Sequence, residues 1–271
     1  MPELPEVETT LRGIAPHIDG RNVVAVHVHD SRLRWPVPAD LPEKLVGHKL
    51  LGLERRAKYL LLHFRHGTLI LHLGMSGSLR VVDPSHPRTP HDHLEIIFSG
   101  RRCLRLRDPR RFGAALWTEG EATAHQLLCA LGPEPLSDSF DVDYLHAITR
   151  QRRAPIKNVI MDGHVVVGVG NIYASESLHM AGIHPARSAH RIAPARLARL
   201  VVAIKEVLAD AIASGGTTLR DFTDAQGKPG YFRHHLRVYD RENLPCECGR
   251  GSIRRSVLGQ RATYFCPACQ R

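Results

Sequence analysis

The sequence contains no run of about 18 consecutive apolar residues, the length that a membrane-spanning helix needs. Its first residues are acidic and interrupted by Pro2 and Pro5, without the apolar segment of a secretory signal peptide. Internal repeats and low-complexity segments are also missing. We therefore expect a soluble protein of the cell interior, with no membrane partner.

Acidic residues are fewer than basic ones. The chain has 27 Asp and Glu against 37 Lys and Arg, which gives a net charge of +10. This excess indicates a polyanionic partner, although a solvated basic surface without a partner would have the same composition. A length of 271 residues suits more than one domain, and a hydrophobic content of 43% is enough to build their cores.

Cysteine is scarce, and four of the six cysteines crowd the last 26 residues. They form two close pairs 17 residues apart, Cys246 with Cys248 and Cys266 with Cys269. Four thiolates at this separation predict one structural Zn²⁺, because zinc favours closed tetrahedral sulfur sites. A reduced, metal-free tail is the alternative. The isolated Cys103 and Cys129 are predicted to be small buried apolar residues.

The first half of the chain has the pattern of an antiparallel β-sandwich or barrel. Apolar strands are predicted over residues 23–28, 59–64, 68–73 and 93–98, after a short helix over 7–14. The second half is helical, with helices predicted over 171–180 and 195–213 and a hairpin between the cysteine pairs. We expect three domains, over residues 1–132, 133–236 and 237–271.

The N-terminus can supply a nucleophile. Loss of the initiator Met would expose the secondary α-amine of Pro2, and an ordinary α-amine has a pKa of about 7.7–8.0. Such an amine can attack a carbonyl-like carbon and form a cationic iminium, with Glu3 beside it as a general acid or base. A frayed terminus is the alternative interpretation.

Two further segments suit contact with nucleic acid. Residues 165–171 form a glycine-punctuated turn that opens a helix, where Asn171 and the helix N-terminus can meet a phosphate. Residues 107–113 form a basic turn with one aromatic residue, Phe112, which can fill the space left by an unstacked base. A structural turn with solvated arginines is the alternative for each.

Seven motifs occur along the chain in a fixed order: MPELPEVE at 1–8, RAKYL at 56–60, HLGMSG at 72–77, DPRRFG at 108–113, GNIYASE at 170–176, GKPGYF at 227–232 and QRATY at 260–264. In this series the chain resembles the bacterial formamidopyrimidine-DNA glycosylases over nearly its whole length. The resemblance implies a monomeric α+β protein. Its parts would be an N-terminal β-sandwich, a helical domain with a helix–two-turn–helix motif, and a zinc β-hairpin.

The resemblance also implies an activity, base-excision repair of duplex DNA in the nucleoid. Such enzymes remove oxidised purines such as 8-oxoguanine and formamidopyrimidines, then cut the strand at the abasic site by β,δ-elimination. By the family pattern Pro2 attacks C1′ of the deoxyribose and Glu3 handles protons. Lys58 matches the lysine assigned to β-elimination, and Arg261 the arginine assigned to δ-elimination.

DNA contacts follow from the same resemblance. The matching positions are His72, Met75, His91, Arg110, Phe112, Arg152, Asn171 and Tyr239. Met75, Arg110 and Phe112 correspond to the triad that fills the void left by the extruded nucleotide. Residues 217–231 correspond to the lid over the extruded base.

One feature departs from the family pattern. Family members usually have two residues between the first two cysteines, whereas here the single residue Glu247 separates Cys246 from Cys248. Three other functions stay open at this point: an endonuclease VIII-like glycosylase for oxidised pyrimidines, a non-enzymatic damaged-DNA-binding protein, and an RNA-binding zinc protein. The triad and the long lid favour the purine enzyme over the first, and the presence of Pro2, Glu3 and Lys58 disfavours the second.

Overall fold

The computed structural model describes residues 2–216 and 235–271 of the chain. Within these ranges the chain forms two compact units, one of residues 2–129 with 214–216, and one of residues 130–213 with 235–271. Across the described ranges no helix is both long and apolar enough to cross a membrane. The expected lid, residues 217–231, lies outside the described residues.

The first unit opens with helix α1 (Leu4–Ile18), which is longer at both ends than the predicted helix over 7–14. Its buried apolar residues Leu4, Val7, Ile14 and Ile18 recur at helical spacing and face the core. Pro5 lies in the first turn, where its missing N–H costs no helical hydrogen bond. The helix therefore begins immediately after Glu3.

Eight strands and a short helix complete this unit. They are β1 (Val23–Val28), α2 (Leu41–Leu45), β2 (Gly52–Arg56), β3 (Tyr59–Phe64), β4 (Gly67–His72), β5 (Ser78–Val82), β6 (Asp92–Phe98), β7 (Arg102–Arg107) and β8 (Ala114–Thr118). The strands pair antiparallel into two four-stranded sheets, ordered β1-β6-β7-β5 and β2-β3-β4-β8. The four predicted strands are confirmed, with ends that shift by one residue in β4 and β6.

The two sheets share one hydrophobic core. Leu62 and Leu71 from one sheet and Ile96 and Leu106 from the other belong to a single buried cluster, into which α1 also packs. Removing this apolar surface from water is what stabilises two sheets stacked face to face. The predicted β-sandwich is confirmed.

The described residues of the second unit are mainly helical up to Ala213 and end in a hairpin. The α-helices among them are α3 (Val142–Thr149), α4 (Ile156–Ile160), α5 (Asn171–Met180) and α6 (Pro194–Ala213). Along α6 the buried residues Leu197, Leu200, Ile204 and Leu208 form the predicted apolar stripe. Both predicted helices are confirmed, and two turns connect α4 to α5.

Strands β9 (Arg254–Leu258) and β10 (Arg261–Phe265) form the hairpin expected between the cysteine pairs. Gly259 and Gln260 make its two-residue turn with φ of 53° and 62°. Two positive φ values are typical of the type I′ turn, whose twist matches that of the flanking strands. This turn places Arg261 at the first position of β10.

The prediction for the isolated cysteines is half wrong. Cys103 is buried on β7, but Cys129 is exposed. Cys129 lies in a turn in which its neighbour Leu128, with 3% exposure, takes the buried position.

Candidate functional site

The predicted functional residues divide between the two units. The first unit carries Pro2, Glu3, Lys58, His72, Met75, His91, Arg110 and Phe112, whereas the second carries Arg152, Asn171, Tyr239, Arg261 and the four cysteines. Each unit therefore contributes its own set of groups.

The N-terminal pair is built into the start of α1. Pro2 is buried and Glu3 is 3% exposed, so neither belongs to a frayed end. The Glu3 carboxylate accepts the Glu6 amide, and Glu6 Oε2 accepts the Glu3 amide at 2.8 Å, which together make a capping box. This reciprocal pair fixes the Glu3 backbone and, with it, the position of the adjoining Pro2 amine.

Lys58 lies in the two-residue turn between β2 and β3. The preceding Ala57 has φ of 56°, a left-handed conformation that non-glycine residues adopt at a cost of about 1–2 kcal/mol. Arg55 connects this turn to α1, since its Nε donates to Glu8 at 2.9 Å and a terminal nitrogen donates to the Ala57 carbonyl at 3.0 Å. Arg55 thereby holds the lysine turn against the helix that begins at Pro2.

His72, the last residue of β4, presents its imidazole beside that turn. The Gly74 amide donates to Nδ1 at 3.1 Å, so the neutral ring carries its proton on Nε2, ready to donate to a phosphate oxygen. Burial, together with the positive charges of Lys58 and Arg34, lowers the pKa of His72 to about 4, against a smaller opposite effect of Asp108. His72 is therefore a neutral donor at pH 7.

The stability of this unit should depend on pH through His72. Between pH 6.5 and about 4 the unfolded chain binds a proton that the folded imidazole excludes, so the free energy of unfolding falls as the pH falls. At pH 4.5 the loss should reach about 2–3 kcal/mol. Denaturant titrations at pH 7 and at pH 4.5 should show this loss in the wild type. The loss should be smaller in His72→Gln, which lacks the titrating imidazole. An imidazole NMR titration with a midpoint near 6.5 would contradict the prediction.

Asp108 organises the two loops that carry the predicted triad. Its completely buried carboxylate accepts the Ser76 hydroxyl at 2.7 Å and the Gly113 amide at 2.7 Å. Its backbone N–H donates to the His91 carbonyl at 3.0 Å, so a third loop joins the same network. Gly74, with φ of 60°, passes so close to the Phe112 backbone that a side chain would overlap it.

The side chains on these loops point outward. Met75 and Phe112 are 38% and 43% exposed. The Arg110 guanidinium stacks over the Phe112 ring at 4.9 Å, which joins a cation to an apolar surface. His91 is also exposed and adopts a left-handed φ of 74°. Asp108 thus connects the loops that carry four residues predicted from the sequence, Met75, His91, Arg110 and Phe112.

In the second unit two side chains hold the segment that follows Arg261. Asn171 Nδ2, at the first position of α5, donates to the Ala262 carbonyl at 3.0 Å. Lys157, only 1% exposed, donates from Nζ to Thr263 Oγ1 at 2.8 Å and to the same carbonyl at 3.3 Å. The Arg261 side chain is exposed. These hydrogen bonds hold the backbone beside Arg261, whose side chain reaches the solvent.

Glu176 fixes the position of Tyr239. Its buried carboxylate accepts three consecutive backbone amides, those of Arg237 at 2.8 Å, Val238 at 3.0 Å and Tyr239 at 2.8 Å. Burial raises the pKa of Glu176 although these amides act in the opposite direction. The Tyr239 ring packs edge-on against Tyr264 of β10 at 5.1 Å. This side of the hairpin is thereby tied to α5.

Arg152 has a partner within its own unit. One of its terminal nitrogens donates to Asp162 Oδ2 at 3.0 Å, with both side chains partly exposed. An ion pair at such an exposure contributes at most about 1 kcal/mol, so the arginine can exchange this partner for a phosphate.

The four clustered cysteines form the arrangement that a metal ion needs. Their sulfur atoms all lie within 4.8 Å of one another, with Cys246 3.9 Å from Cys269 and Cys248 3.8 Å from Cys266. A tetrahedron with metal–sulfur bonds of about 2.3 Å has edges of about 3.8 Å. The shortened first pair therefore still brings its sulfurs to chelating distance, and the four residues could hold one metal ion.

Family comparison covers most of the chain. Residues 1–115 match the family model for the formamidopyrimidine-DNA glycosylase N-terminal domain, and residues 131–223 match the model for the H2TH domain of the same enzymes. The first match contains Pro2, Lys58 and His72, and the second contains Arg152 and Asn171.

Full-length relatives agree with these domain matches. Proteins named formamidopyrimidine-DNA glycosylase from Thioalkalivibrio sulfidiphilus and Methylococcus capsulatus are 60% and 58% identical over 271 residues, covering 100% of both chains in each case. The Thermus thermophilus MutM (Fpg) structure superposes with a TM-score of 0.89 at 37% identity, covering 99% of this chain and 98% of that one. A Lactococcus lactis Fpg complex with abasic-site DNA gives 0.92 at 31% identity and covers 99% of each. The chain belongs to the formamidopyrimidine-DNA glycosylase family.

Proposed function

We propose that this protein repairs oxidised purines in duplex DNA as a bifunctional glycosylase and abasic-site lyase. The observation that carries the proposal is the buried Pro2 amine beside the capped Glu3, at the start of a chain of this family. Lactococcus lactis Fpg, 30% identical with a TM-score of 0.93, has been solved as a variant with Fapy-dG DNA. That lesion is an opened, oxidised purine, which supports the same substrate class here.

The first step in this proposal is base release. The Pro2 nitrogen forms a bond to C1′ of the damaged nucleotide while the bond from C1′ to the base breaks, and the electron pair leaves with the base. The attacking nitrogen gives up its N–H proton and the leaving base takes up one, and the ring oxygen takes up another as the sugar opens to a Pro2–C1′ iminium. Glu3, next in the chain and buried, is the group placed to pass these protons.

Strand cleavage follows from the iminium. Its positive nitrogen draws electrons from the sugar and makes the C2′ proton acidic, so loss of that proton expels the 3′ phosphate. Lys58 in the strained turn is the proposed group for this β-elimination. Loss of a second sugar proton then expels the 5′ phosphate, for which Arg261 at the tip of the hairpin is the proposed group.

The remaining predicted residues suit DNA binding. The chemistry requires the damaged nucleotide outside the stack, which costs a few kcal/mol, and apolar wedges offset part of that cost. Met75, Arg110 and Phe112 are the exposed side chains that we assign to the vacated space. His72, His91, Arg152, Asn171 and Tyr239 are assigned to the DNA backbone, in keeping with a net charge of +10.

Zinc is the metal that we assign to the cysteine cluster. A set of four thiolates, two of them on buried residues, suits a closed structural zinc site rather than a catalytic one with an open position. Bound there, zinc would hold the two ends of the hairpin together. No step of the proposed reaction uses it.

Borohydride trapping tests the proposed reaction. With a duplex that contains 8-oxoguanine, reduction of the iminium should give a covalent protein–DNA adduct at the N-terminal peptide, identified by mass spectrometry. A duplex with an undamaged guanine should give none. Intact mass of the protein should show that Met1 has been removed, because the proposal requires a free Pro2 amine.

Lys58→Ala is the control for the site of attachment. It should still give the adduct at Pro2, since the lysine acts after the iminium has formed. An adduct on Lys58 in the wild type would contradict the assignment of the nucleophile. Trapping on oxidised pyrimidines in preference to 8-oxoguanine would contradict the assigned substrate class.

A further inference from the structure

The shortened first cysteine pair leaves the Cys246 sulfur with reduced backbone support. The Cys248 amide donates to this sulfur. The next amide along the chain, that of Gly249, instead donates to the Cys246 carbonyl oxygen at 2.9 Å. The Gly249 amide is therefore engaged by a carbonyl oxygen and not by the sulfur.

A side chain from α5 approaches the same sulfur. His179, in the last turn of the helix, has its Nε2 3.3 Å from Cys246 Sγ. Its Nδ1 is buried and has no hydrogen-bond partner within residues 2–216 and 235–271. Sulfur in a metal-bound thiolate is an acceptor, so the ring makes a hydrogen bond here only with its proton on Nε2.

We propose that His179 is a positioning residue of the metal site, whose Nε2–H donates to Cys246 Sγ while the Gly249 amide is engaged by the Cys246 carbonyl oxygen. The proposal rests on the assignment of zinc to the cysteine cluster. Four thiolates around one divalent ion carry excess negative charge, and N–H donors to sulfur disperse it. The donor also ties the hairpin to α5, independently of the amides that Glu176 accepts.

A second histidine serves as a matched control. His184 also lies close to the hairpin, with its ring 4.6 Å from that of Phe265, but its Nδ1 accepts the Ala186 amide at 3.2 Å. Both histidines are partly buried. A ring nitrogen of His179 lies at hydrogen-bonding distance from a cysteine sulfur, whereas Nδ1 of His184 accepts a backbone amide.

The test measures zinc affinity of the full-length protein by competition with a chromophoric chelator. His179→Phe keeps a buried ring but removes the donor, and loss of such an outer-shell partner weakens metal binding about 10–100-fold. His179→Gln, whose amide nitrogen can reach the sulfur, should stay closer to the wild type than to His179→Phe. His184→Gln should match the wild type. His179→Leu repeats the test if the phenylalanine variant fails to fold.

Cobalt substitution adds a spectroscopic measurement. Removing a donor from a thiolate makes it more electron-rich, so the sulfur-to-cobalt charge-transfer band should move to lower energy in His179→Phe and not in His179→Gln. An affinity within about twofold of wild type in His179→Phe, with an unmoved band, would overturn the role of His179. A glutamine variant as weak as the phenylalanine variant would do the same. Wild-type protein purified without zinc would instead overturn the assignment of zinc.

Discussion

Replacing Glu3 with glutamine should slow release of an oxidised purine about 10²–10⁴-fold, the usual contribution of a positioned acid or base. Glutamine cannot pass a proton to the leaving base or to the opening sugar. It keeps a side-chain oxygen that can accept the Glu6 amide, so the start of α1 should stay folded. Single-turnover release of 8-oxoguanine from a duplex, followed by chromatography of the free base, measures the rate.

Glu6→Gln is the matched control for this substitution. Glu6 is as buried as Glu3, with 3% exposure, and makes the other half of the capping box. Glutamine at position 6 keeps an oxygen that can accept the Glu3 amide, so the cap and the fold of α1 should stay largely intact. The rate of base release should change far less than in Glu3→Gln. A Glu3→Gln enzyme within tenfold of the wild-type rate would remove Glu3 from the reaction.

Local pattern was sufficient to predict some of the elements that position the site, but not β2, β5, β7 and β8. The apolar runs of β1 and β3 and the helical stripe of α6 appear within a few residues of their observed ends. Such patterns are short-range, because a strand repeats every two residues and a helix every 3.6. The hairpin was likewise predictable, since its ends are marked by the two cysteine pairs.

Local pattern could not predict the long-range contacts that hold the functional side chains in place. Arg55 and Glu8 lie 47 residues apart, and Lys157 and Thr263 lie 106 residues apart. A charged residue in an apolar stretch, such as Lys157 beside Ile156, signals a buried polar contact but does not name the partner. Asp108 and Glu176 stand inside motifs quoted for the resemblance, yet only the structure shows which loops they join.

Family resemblance supplied the roles of the individual residues, and the structure adds the reason for their placement. Gly74 allows the loop after β4 to approach the backbone of Phe112, whose side chain is exposed. His72 is a neutral donor because it lies buried beside Lys58. Neither property follows from the motifs alone, since the first depends on how that loop meets residues 108–113 and the second on where β4 ends beside the turn between β2 and β3.

The second large effect concerns Cys248→Ser, which should release the metal and loosen the hairpin. Zinc bound by four thiolates contributes an apparent free energy of about 10–16 kcal/mol in small domains. Among residues 2–216 and 235–271, the buried apolar cluster that includes two of the cysteines has five members, Val238, Cys246, Ile253, Tyr264 and Cys266. So small a core cannot hold β9 and β10 in place without the metal, whereas the β-sandwich has a separate core.

The expected readouts of Cys248→Ser therefore differ between the two units. Zinc content by mass spectrometry should fall from one ion per chain, and hydrogen exchange should speed up at β9 and β10 but not at β3 and β4. Cleavage of a lesion-bearing duplex should fall as well, because Arg261 begins β10 and loses its fixed position. Cys129→Ser is the matched control, because it removes a thiol from an exposed turn outside the cluster. It should change neither the zinc content, nor the hydrogen exchange, nor the cleavage rate. A zinc-free Cys248→Ser protein that cleaves at the wild-type rate would show that the hairpin acts without its metal.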